Sequence, residues 1–264
     1  MLDFGFYKMD CMEGMKQFPD DYFDLAIVDP PYGAGFTENG GCKGWFSKYH
    51  QNAEISENSG RGIGTDSEGD STNTRTNRHY SFGIRKCRKS YENRRNMGGE
   101  IRKKIISWDI APDREYFEQL FRVSRNQIIW GGNYFDLPPT RCFLIWRKLT
   151  ISENFSMAMA EYAWTSFNEN AKVFEYAPQA KKGDNRFHPT QKPVALYEWI
   201  LNRYAKPGDK ILDTHVGSAS SLIACHNTNH KYVGFEIDKE YYRLAKERLD
   251  RETAQMNIFS FMEE

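Results

Sequence analysis

Short apolar runs, separated by turns and by helical segments, recur along this chain. Residues 25–28 are Leu-Ala-Ile-Val, an unbroken apolar run that is typical of a strand buried on both faces of a parallel sheet. Six further runs predict six further strands. They cover residues 6–10, 127–130, 142–146, 160–164, 210–213 and 231–235.

Helical patterns alternate with these strands. Tyr241, Leu244, Ala245 and Leu249 share one face of a helix that we predict over 239–251. Further helices are predicted over 12–18, 114–123 and 194–204, and another contains residues 222–225. This alternation predicts one α/β domain over residues 1–264, in which a mixed, mostly parallel, seven-stranded sheet carries helices on both faces.

Residues 34–107 interrupt the alternation. The segment is rich in Gly, Ser, Asn and Thr and shows little periodicity, so we predict a mobile insertion. Between positions 75 and 104, eleven Lys or Arg stand against two Glu, although the whole chain has a formal net charge of zero. Cations interleaved with Asn and aromatic residues suit a nucleic acid, and the alternative is a solvated loop. The candidate contacts are Arg75, Arg78, Arg85, Lys86, Arg88, Lys89, Arg94 and Arg95.

Composition excludes several classes of protein. The five cysteines form no Cys-x-x-Cys pair, which argues against a disulfide framework and against a zinc site, and we predict no metal. The sequence contains neither an N-terminal apolar leader nor an apolar run of 18 residues. We therefore expect a soluble cytoplasmic protein with no membrane partner.

The first candidate site is Asp29-Pro30-Pro31-Tyr32, directly after the apolar run 25–28. Open α/β sheets bind ligands outside the carboxyl ends of their strands. The two prolines lack backbone N–H groups, which leaves the Asp29 carboxylate and the Pro30 carbonyl as acceptors for a ligand. Two acceptors suit the exocyclic amine of a base, and Tyr32 offers a face on which that base can stack. The alternative is an ordinary strand-to-loop turn.

The second candidate site follows the predicted strand 210–213. Asp213 ends that strand, and a turn with His215, Gly217 and Ser218 leads into a helix, which is a nucleotide-binding layout. Gly217 lets the backbone approach a ligand. Glu236 ends the next strand, where an acidic residue holds a ribose diol. We interpret His215 as a packed turn residue in preference to a catalytic base.

Four segments resemble motifs of DNA amino-methyltransferases. Asp29-Pro30-Pro31-Tyr32 resembles their Asp/Asn/Ser-Pro-Pro-Tyr/Phe motif, and the turn after Asp213 resembles Asp-Pro-Phe-x-Gly-Ser-Gly-Thr, with Thr214-His215 in place of Pro-Phe and Ala219 in place of the second Gly. Residues 188–193 match His-Pro-Thr-Gln-Lys-Pro, and residues 6–10 resemble the strand that ends at an Asp. The order of these motifs resembles the circularly permuted β group of the family.

The resemblance implies a Rossmann-like, S-adenosylmethionine-dependent methyltransferase fold, circularly permuted. It implies that Asp10 meets the adenine of S-adenosylmethionine and that Lys192 or nearby amides bind its carboxylate. Asp10 could equally be a helix cap. Residues 131–135, Gly-Gly-Asn-Tyr-Phe, resemble a pocket-lining segment or form a plain turn. The full set of implied cofactor ligands is Asp10, Cys11, Lys192, Asp213, His215, Gly217, Ser218 and Glu236.

The Asp form of the tetrapeptide resembles the branch that methylates N6 of adenine. The resemblance implies a flipped-out adenine in double-stranded DNA as substrate and Asp29, Pro30, Pro31 and Tyr32 as catalytic residues. It leaves open a cognate restriction endonuclease, a monomer or a homodimer, and target recognition by 34–107 or by 147–187. The alternatives are an acceptor at N4 of cytosine, an amine in RNA, or a degenerate DNA-binding module.

Overall fold

A computed structural model describes residues 1–33, 109–154, 158–178 and 186–260. The chain divides into one unit of Met1–Tyr32 and Ala111–Glu264 and a second unit of Gly33–Ile110. Every element described below belongs to the first unit. The predicted insertion 34–107, with its eight candidate DNA contacts, lies outside the described residues.

Eight strands of the described residues form one sheet in the order β1-β8-β7-β2-β3-β5-β4-β6. Strand β5 is antiparallel to its neighbours β3 and β4, and every other pair is parallel. The predicted mixed, mostly parallel sheet is thus confirmed. The strands are β1 Gly5–Lys8, β2 Phe23–Val28, β3 Ser124–Trp130, β4 Phe143–Arg147, β5 Ala160–Thr165, β6 Lys172–Glu175, β7 Lys210–Asp213 and β8 Lys231–Glu236.

Helices cover both faces of the sheet. Leu25 and Ile27 of β2 pack in a core with residues of α3 and α4, whereas Ala26 and Val28 pack in a second core with α1 and α2. Alternate residues of a strand point to opposite faces, so β2 is buried on both sides, as its apolar run predicts. The helices are α1 Cys11–Met15, α2 Arg114–Val123, α3 Val194–Tyr204, α4 Ser220–Asn227 and α5 Lys239–Ser260. Within the described ranges, none is long and apolar enough to cross a membrane.

The two ends of the chain meet in the sheet. Strand β1 pairs in parallel with β8, with Lys8 opposite Glu236. Helix α5, which follows β8, packs on β1: the rings of Phe6 and Tyr242 lie 4.6 Å apart between centroids. In an unpermuted chain, β1 would follow α5 in the sequence. The contact between α5 and β1 is therefore the arrangement that the predicted circular permutation requires.

Several element boundaries differ from the prediction: β1 ends at Lys8 and not at Asp10, β3 begins at Ser124 and not at Gln127, and the other predicted strands agree within two residues. Strand β6 was not predicted, because Lys172–Glu175 is a four-residue edge strand with only two apolar residues between charged ones, and one of the two, Val173, is exposed. The predicted helix 12–18 is shorter, at Cys11–Met15, and the predicted helix 239–251 continues to Ser260. The predicted bounds of α2 and α3 are confirmed.

Candidate active site

Acidic residues follow four neighbouring strands at one edge of the sheet. β1, β8, β7 and β2 are adjacent and parallel, so their carboxyl ends lie at the same edge. Asp10 comes two residues after β1, Glu236 and Asp213 end β8 and β7, and Asp29 follows β2. The two candidate sites from the sequence therefore lie side by side.

Asp29 is held by donors on both of its oxygens. Tyr32 Oη donates to Oδ1 at 2.7 Å, and Lys192 Nζ donates to Oδ2. The Asp29 side chain is only 13% exposed. Burial, followed by the charge of Asp29, raises the pKa of Tyr32 well above its ordinary value, so the phenol remains a donor to this carboxylate.

Lys192 forms a second ion pair behind Asp29. Its Nζ lies 3.2 Å from Glu161 Oε2, and Lys148 Nζ lies 2.5 Å from Glu161 Oε1. Burial alone would lower the pKa of Lys192, but Asp29 and Glu161 raise it above its ordinary value. Lys192, predicted as a ligand of the cofactor carboxylate, thus has its charge compensated by two protein carboxylates. This geometry argues for a different role.

Residues 131–135 both turn the chain and pack on Tyr32. Gly131, at φ 68°, precedes the 3₁₀ turn Gly132–Tyr134, and a Cβ on Gly131 would lie 2.1 Å from Tyr32 Cε1. The Tyr134 ring stacks on the Tyr32 ring, with 4.8 Å between centroids and 13° between planes. Phe135 meets the same ring edge-on at 6.2 Å. An aromatic wall therefore stands beside Asp29.

Hydrogen bonds shape the turn after β7. Asp213 Oδ1 accepts from His215 N at 2.9 Å, and its Oδ2 accepts from Ser221 Oγ. Gly217 N donates to Glu236 Oε2 at 3.0 Å, which ties the turn to the end of β8. Burial raises the pKa of Asp213 to about 7. The hydrogen bonds from Ser221 and His215 lower this pKa, and the charge of Asp29 raises it. Burial also raises the pKa of Glu236.

His215 packs within the turn. Its Nδ1 lies 2.9 Å from Thr214 Oγ1, which in turn lies 2.7 Å from the hydroxyl of Tyr116 on α2. Burial lowers the pKa of His215 to about 4, so the imidazole is neutral at pH 7. The two residues that replace Pro-Phe of the motif thus form a hydrogen-bonded chain with Tyr116.

Ala219 has a left-handed backbone conformation, which favours glycine. Its φ of 63° and ψ of 17° lie in the left-handed region, and its side chain is fully buried. Arg248 of α5 donates from Nη1 to Ser218 O at 2.8 Å and to Ser220 Oγ at 2.9 Å. These bonds fix the turn on both sides of Ala219.

The structure places the remaining predicted cofactor residues at the same edge. Asp10 is exposed and caps α1, because its Oδ1 accepts from Met12 N at 2.8 Å, and this geometry leaves its second oxygen for a ligand. Burial and the charge of Asp10 raise the pKa of Cys11 to about 12, so its thiol stays protonated. Ser218 is buried in the turn.

Tyr197 of α3 connects the two halves of the site. Burial, followed by the charges of Asp29 and Asp213, raises the pKa of its phenol well above the ordinary value. Both carboxylates therefore act on one buried side chain. Sequence reasoning missed Tyr197, Tyr116, Glu161 and Lys148, although a Glu inside the apolar strand 160–164 is a signal that could have indicated a buried ion pair.

Comparisons with known proteins agree on one family. A family model described as DNA methylase matches residues 86–247, more than half of the chain. The type II methyltransferase M.HpaI of Haemophilus parainfluenzae is 48% identical over 65 residues, which are 25% of this chain and 21% of that protein. The type II methyltransferase M2.MboI of Moraxella bovis is 24% identical over 262 residues, 93% of this chain and 87% of that protein.

A further relative carries a more specific name. DNA adenine methyltransferase YhdJ of Escherichia coli K12 is 40% identical over 63 residues, which are 24% of this chain and 21% of that protein. The alignments with M.HpaI and YhdJ therefore span about a fifth of each of those proteins.

Gly131→Ala should displace Tyr32, since the added Cβ would lie 2.1 Å from the ring. Gly208→Ala is the matched control, because Gly208 also has a positive φ, at 88°, but a Cβ there meets nothing within 4 Å. Both variants bear the left-handed cost of about 1–2 kcal/mol. We expect thermal unfolding to show a clearly larger loss for Gly131→Ala, and Tyr32→Ala in that background should recover part of it. Equal losses for the two glycine variants would contradict this packing.

Ala219→Val should destabilise the turn, because a β-branched residue is poorly tolerated at φ 63° and the site has no exposed surface. We expect a loss of at least about 2 kcal/mol, which is a fall in melting temperature of roughly 4–8 °C. Ala219→Gly is the control. Glycine relieves about 1–2 kcal/mol of backbone strain. The loss of the buried methyl group and the greater conformational entropy of glycine in the unfolded chain offset this gain in stability. Calorimetry should place this control within about 3 °C of the wild type, and an unchanged Ala219→Val would refute the assigned backbone.

Proposed function

The chain belongs to the DNA methylase family, and from that premise we propose that it transfers a methyl group from S-adenosylmethionine to N6 of an adenine in DNA. The observation that carries the proposal is the position of Asp29: an anchored carboxylate, next to the stacked ring of Tyr32, adjoins the acidic edge formed by Asp213 and Glu236. Such an edge can hold a nucleoside beside an amine acceptor.

S-adenosylmethionine fits the acidic half of this edge. Asp10, Asp213 and Glu236 offer oxygens to the hydroxyl and amino groups of an adenosine, and a Cβ on Gly217 would lie 3.2 Å from the His188 ring, so only glycine leaves that space open. The start of α4 and the amides of its turn suit a carboxylate. The bound cofactor would supply a methyl group on a sulfonium: a carbon–nitrogen bond would form as the carbon–sulfur bond breaks, the thioether would leave, and the amine would lose one N–H proton to water.

Asp29 and Pro30 hold the amine. A carboxylate offers about four lone-pair sites, and Tyr32 and Lys192 occupy one each, so sites remain for an N–H of the base. The Pro30 carbonyl serves as the second acceptor, since the two prolines remove backbone N–H donors from this turn and leave fewer local groups to compete with a ligand. Holding both N–H bonds directs the nitrogen lone pair towards the methyl group. Most of the rate enhancement then comes from alignment.

Tyr32 receives the base after it leaves the duplex. Extrusion of a nucleotide costs a few kcal/mol, and stacking on an aromatic ring contributes about 1–3 kcal/mol per base. The basic residues between Arg75 and Arg95 are proposed to contact the DNA backbone. The segments 34–107 and 147–187 remain our candidates for base recognition.

The finer assignments draw on sequence and on relatives. The Asp of Asp29-Pro30-Pro31-Tyr32 and the name of YhdJ support adenine as the target. The type II names of M.HpaI and M2.MboI support a restriction-modification setting. A cognate endonuclease as partner and a cytoplasmic location are further parts of the proposal. Nucleoside mass spectrometry of methylated DNA tests the target base: N6-methyladenine is expected, and N4-methylcytosine would overturn this assignment.

Asp29→Ala should lower methyl transfer to DNA by at least about 10²–10³-fold, because it removes the acceptor that holds the amine. Binding of S-adenosylmethionine, measured by titration calorimetry, should change little, since Asp213 and Glu236 are retained. Asp250→Ala, an exposed position on α5, is the control and should keep wild-type activity. Substantial turnover by Asp29→Ala would remove this carboxylate from the mechanism.

Tyr32→Phe and Tyr32→Ala separate the two roles of the Tyr32 side chain. Phenylalanine keeps the ring against Tyr134 and loses only the bond to Asp29, so we expect activity within about tenfold of the wild type. Alanine loses stacking worth about 1–3 kcal/mol, which should raise the KM for DNA by roughly 5–150-fold. Steady-state kinetics at varied DNA concentration measures both effects. A Tyr32→Ala variant that keeps the wild-type KM for DNA would argue against stacking.

A further inference from the structure

A buried chain of four charged side chains extends from Asp29 into the protein. The order is Asp29, Lys192, Glu161 and Lys148, with Nζ–O distances of 3.2 Å between Lys192 and Glu161 and 2.5 Å between Lys148 and Glu161. Their side chains are 13%, 2%, 25% and 5% exposed in that order. They come from four different parts of the fold: the end of β2, the turn before α3, strand β5 and the residue after β4.

The chain alternates in charge and contains two cations and two anions. Burial of an ion is costly unless each charge is compensated at short range. Each ammonium also lies near an indole ring: Lys192 Nζ is 5.2 Å from the Trp130 centroid, and Lys148 Nζ is 5.0 Å from that of Trp146. This arrangement is costly to bury, and it lies next to the amine site. Its position therefore indicates a role in that site.

We propose that Lys192, held in place by Glu161, is a positioning residue that anchors one oxygen of Asp29, compensates its charge and orients this carboxylate for the amine. This inference rests on the proposed function and assigns Lys192 a role other than binding the cofactor carboxylate. Glu161 is the second positioning residue, because it forms a second ion pair with the same ammonium of Lys192.

The anchor works through geometry and charge. A carboxylate rotates about its Cβ–Cγ bond, and a donor fixed on Oδ2 restricts that rotation and leaves Oδ1, shared with Tyr32, for the base. The groups that interact electrostatically with Asp29 include Tyr32 on its own loop, Lys192 before α3, Tyr197 on α3, Asp213 at the end of β7 and Tyr116 on α2. Only Lys192 is a cation in that set, so its removal leaves the carboxylate uncompensated.

Lys192→Gln tests the role by steady-state kinetics. We expect kcat to fall at least about tenfold, the KM for S-adenosylmethionine to stay within about twofold, and the acid limb of the kcat–pH profile to move up by about 1–3 pH units. Lys192→Arg should restore the acid limb to its wild-type position. Glu161→Gln should change kcat in the same direction by a smaller factor. Lys231→Gln is the matched control, since this lysine also lies over a ring, 5.3 Å from the Phe4 centroid, but at the start of β8.

A cofactor-ligand role for Lys192 predicts the opposite split. In that case Lys192→Gln raises the KM for S-adenosylmethionine, and the acid limb does not move. That result would overturn our inference, and so would a Lys192→Gln enzyme with wild-type kcat and pH profile.

Unfolding measurements test the ion pair between Asp29 and Lys192 without an activity assay. In Lys192→Gln, the buried Asp29 carboxylate keeps its charge without the ammonium that compensates it, which costs stability wherever the carboxylate is charged. We expect the melting temperature to fall by at least about 5 °C at pH 8 and by less at pH 5. Asp29→Asn added to Lys192→Gln should recover at least half of the loss at pH 8.

The two kinds of measurement separate the two hypotheses. A wild-type protein that methylates no DNA would refute the proposed function, and recovery by Asp29→Asn would still support the Asp29–Lys192 anchor. Absence of recovery, together with a loss that does not depend on pH, would overturn the anchor even if the wild type is active.

Discussion

Parallel pairing of β1, β8, β7 and β2 is the constraint on which the site depends. Parallel strands end at the same edge, and each of these four is followed or ended by an acidic residue. Asp10 and Asp29 come from the start of the chain, whereas Asp213 and Glu236 come from its last quarter. The site is therefore a property of sheet order, because no local segment brings these residues together.

Carboxylates gathered at one edge repel each other, and the protein stabilises each of them in a different way. Asp29 is paired with the ammonium of Lys192, whereas Asp213 is stabilised by an amide and a hydroxyl. The difference has a chemical consequence. Neutral donors only partly offset burial, so the pKa of Asp213 rises to about 7. A carboxyl that titrates near neutrality can donate a hydrogen bond to a hydroxyl group or accept one from it.

The sequence predicted the sheet and both halves of the site because those features are local. Four apolar residues before Asp29 indicate a strand buried on both faces, and the patterns over 114–123 and 194–204 fix the helices to the residue. The Asp29–Lys192 ion pair joins positions 163 residues apart, so spacing along the chain carries no information about it. Lys192 lies in a motif that pointed to the cofactor, and only the coordinates reveal that Asp29 and Glu161 are its partners.

The turn after β7 shows why motif matching alone underestimates this site. Ala219 replaces a glycine, yet it adopts the left-handed conformation, whose cost of about 1–2 kcal/mol must be met elsewhere. Arg248 meets that requirement with bonds to residues on both sides of Ala219. Thr214-His215 replaces a proline and an aromatic, and Tyr116 completes that corner from α2. Side chains from α5 and α2 therefore add to the hydrogen bonds of Asp213 and Gly217 at the positions where this chain departs from the motif.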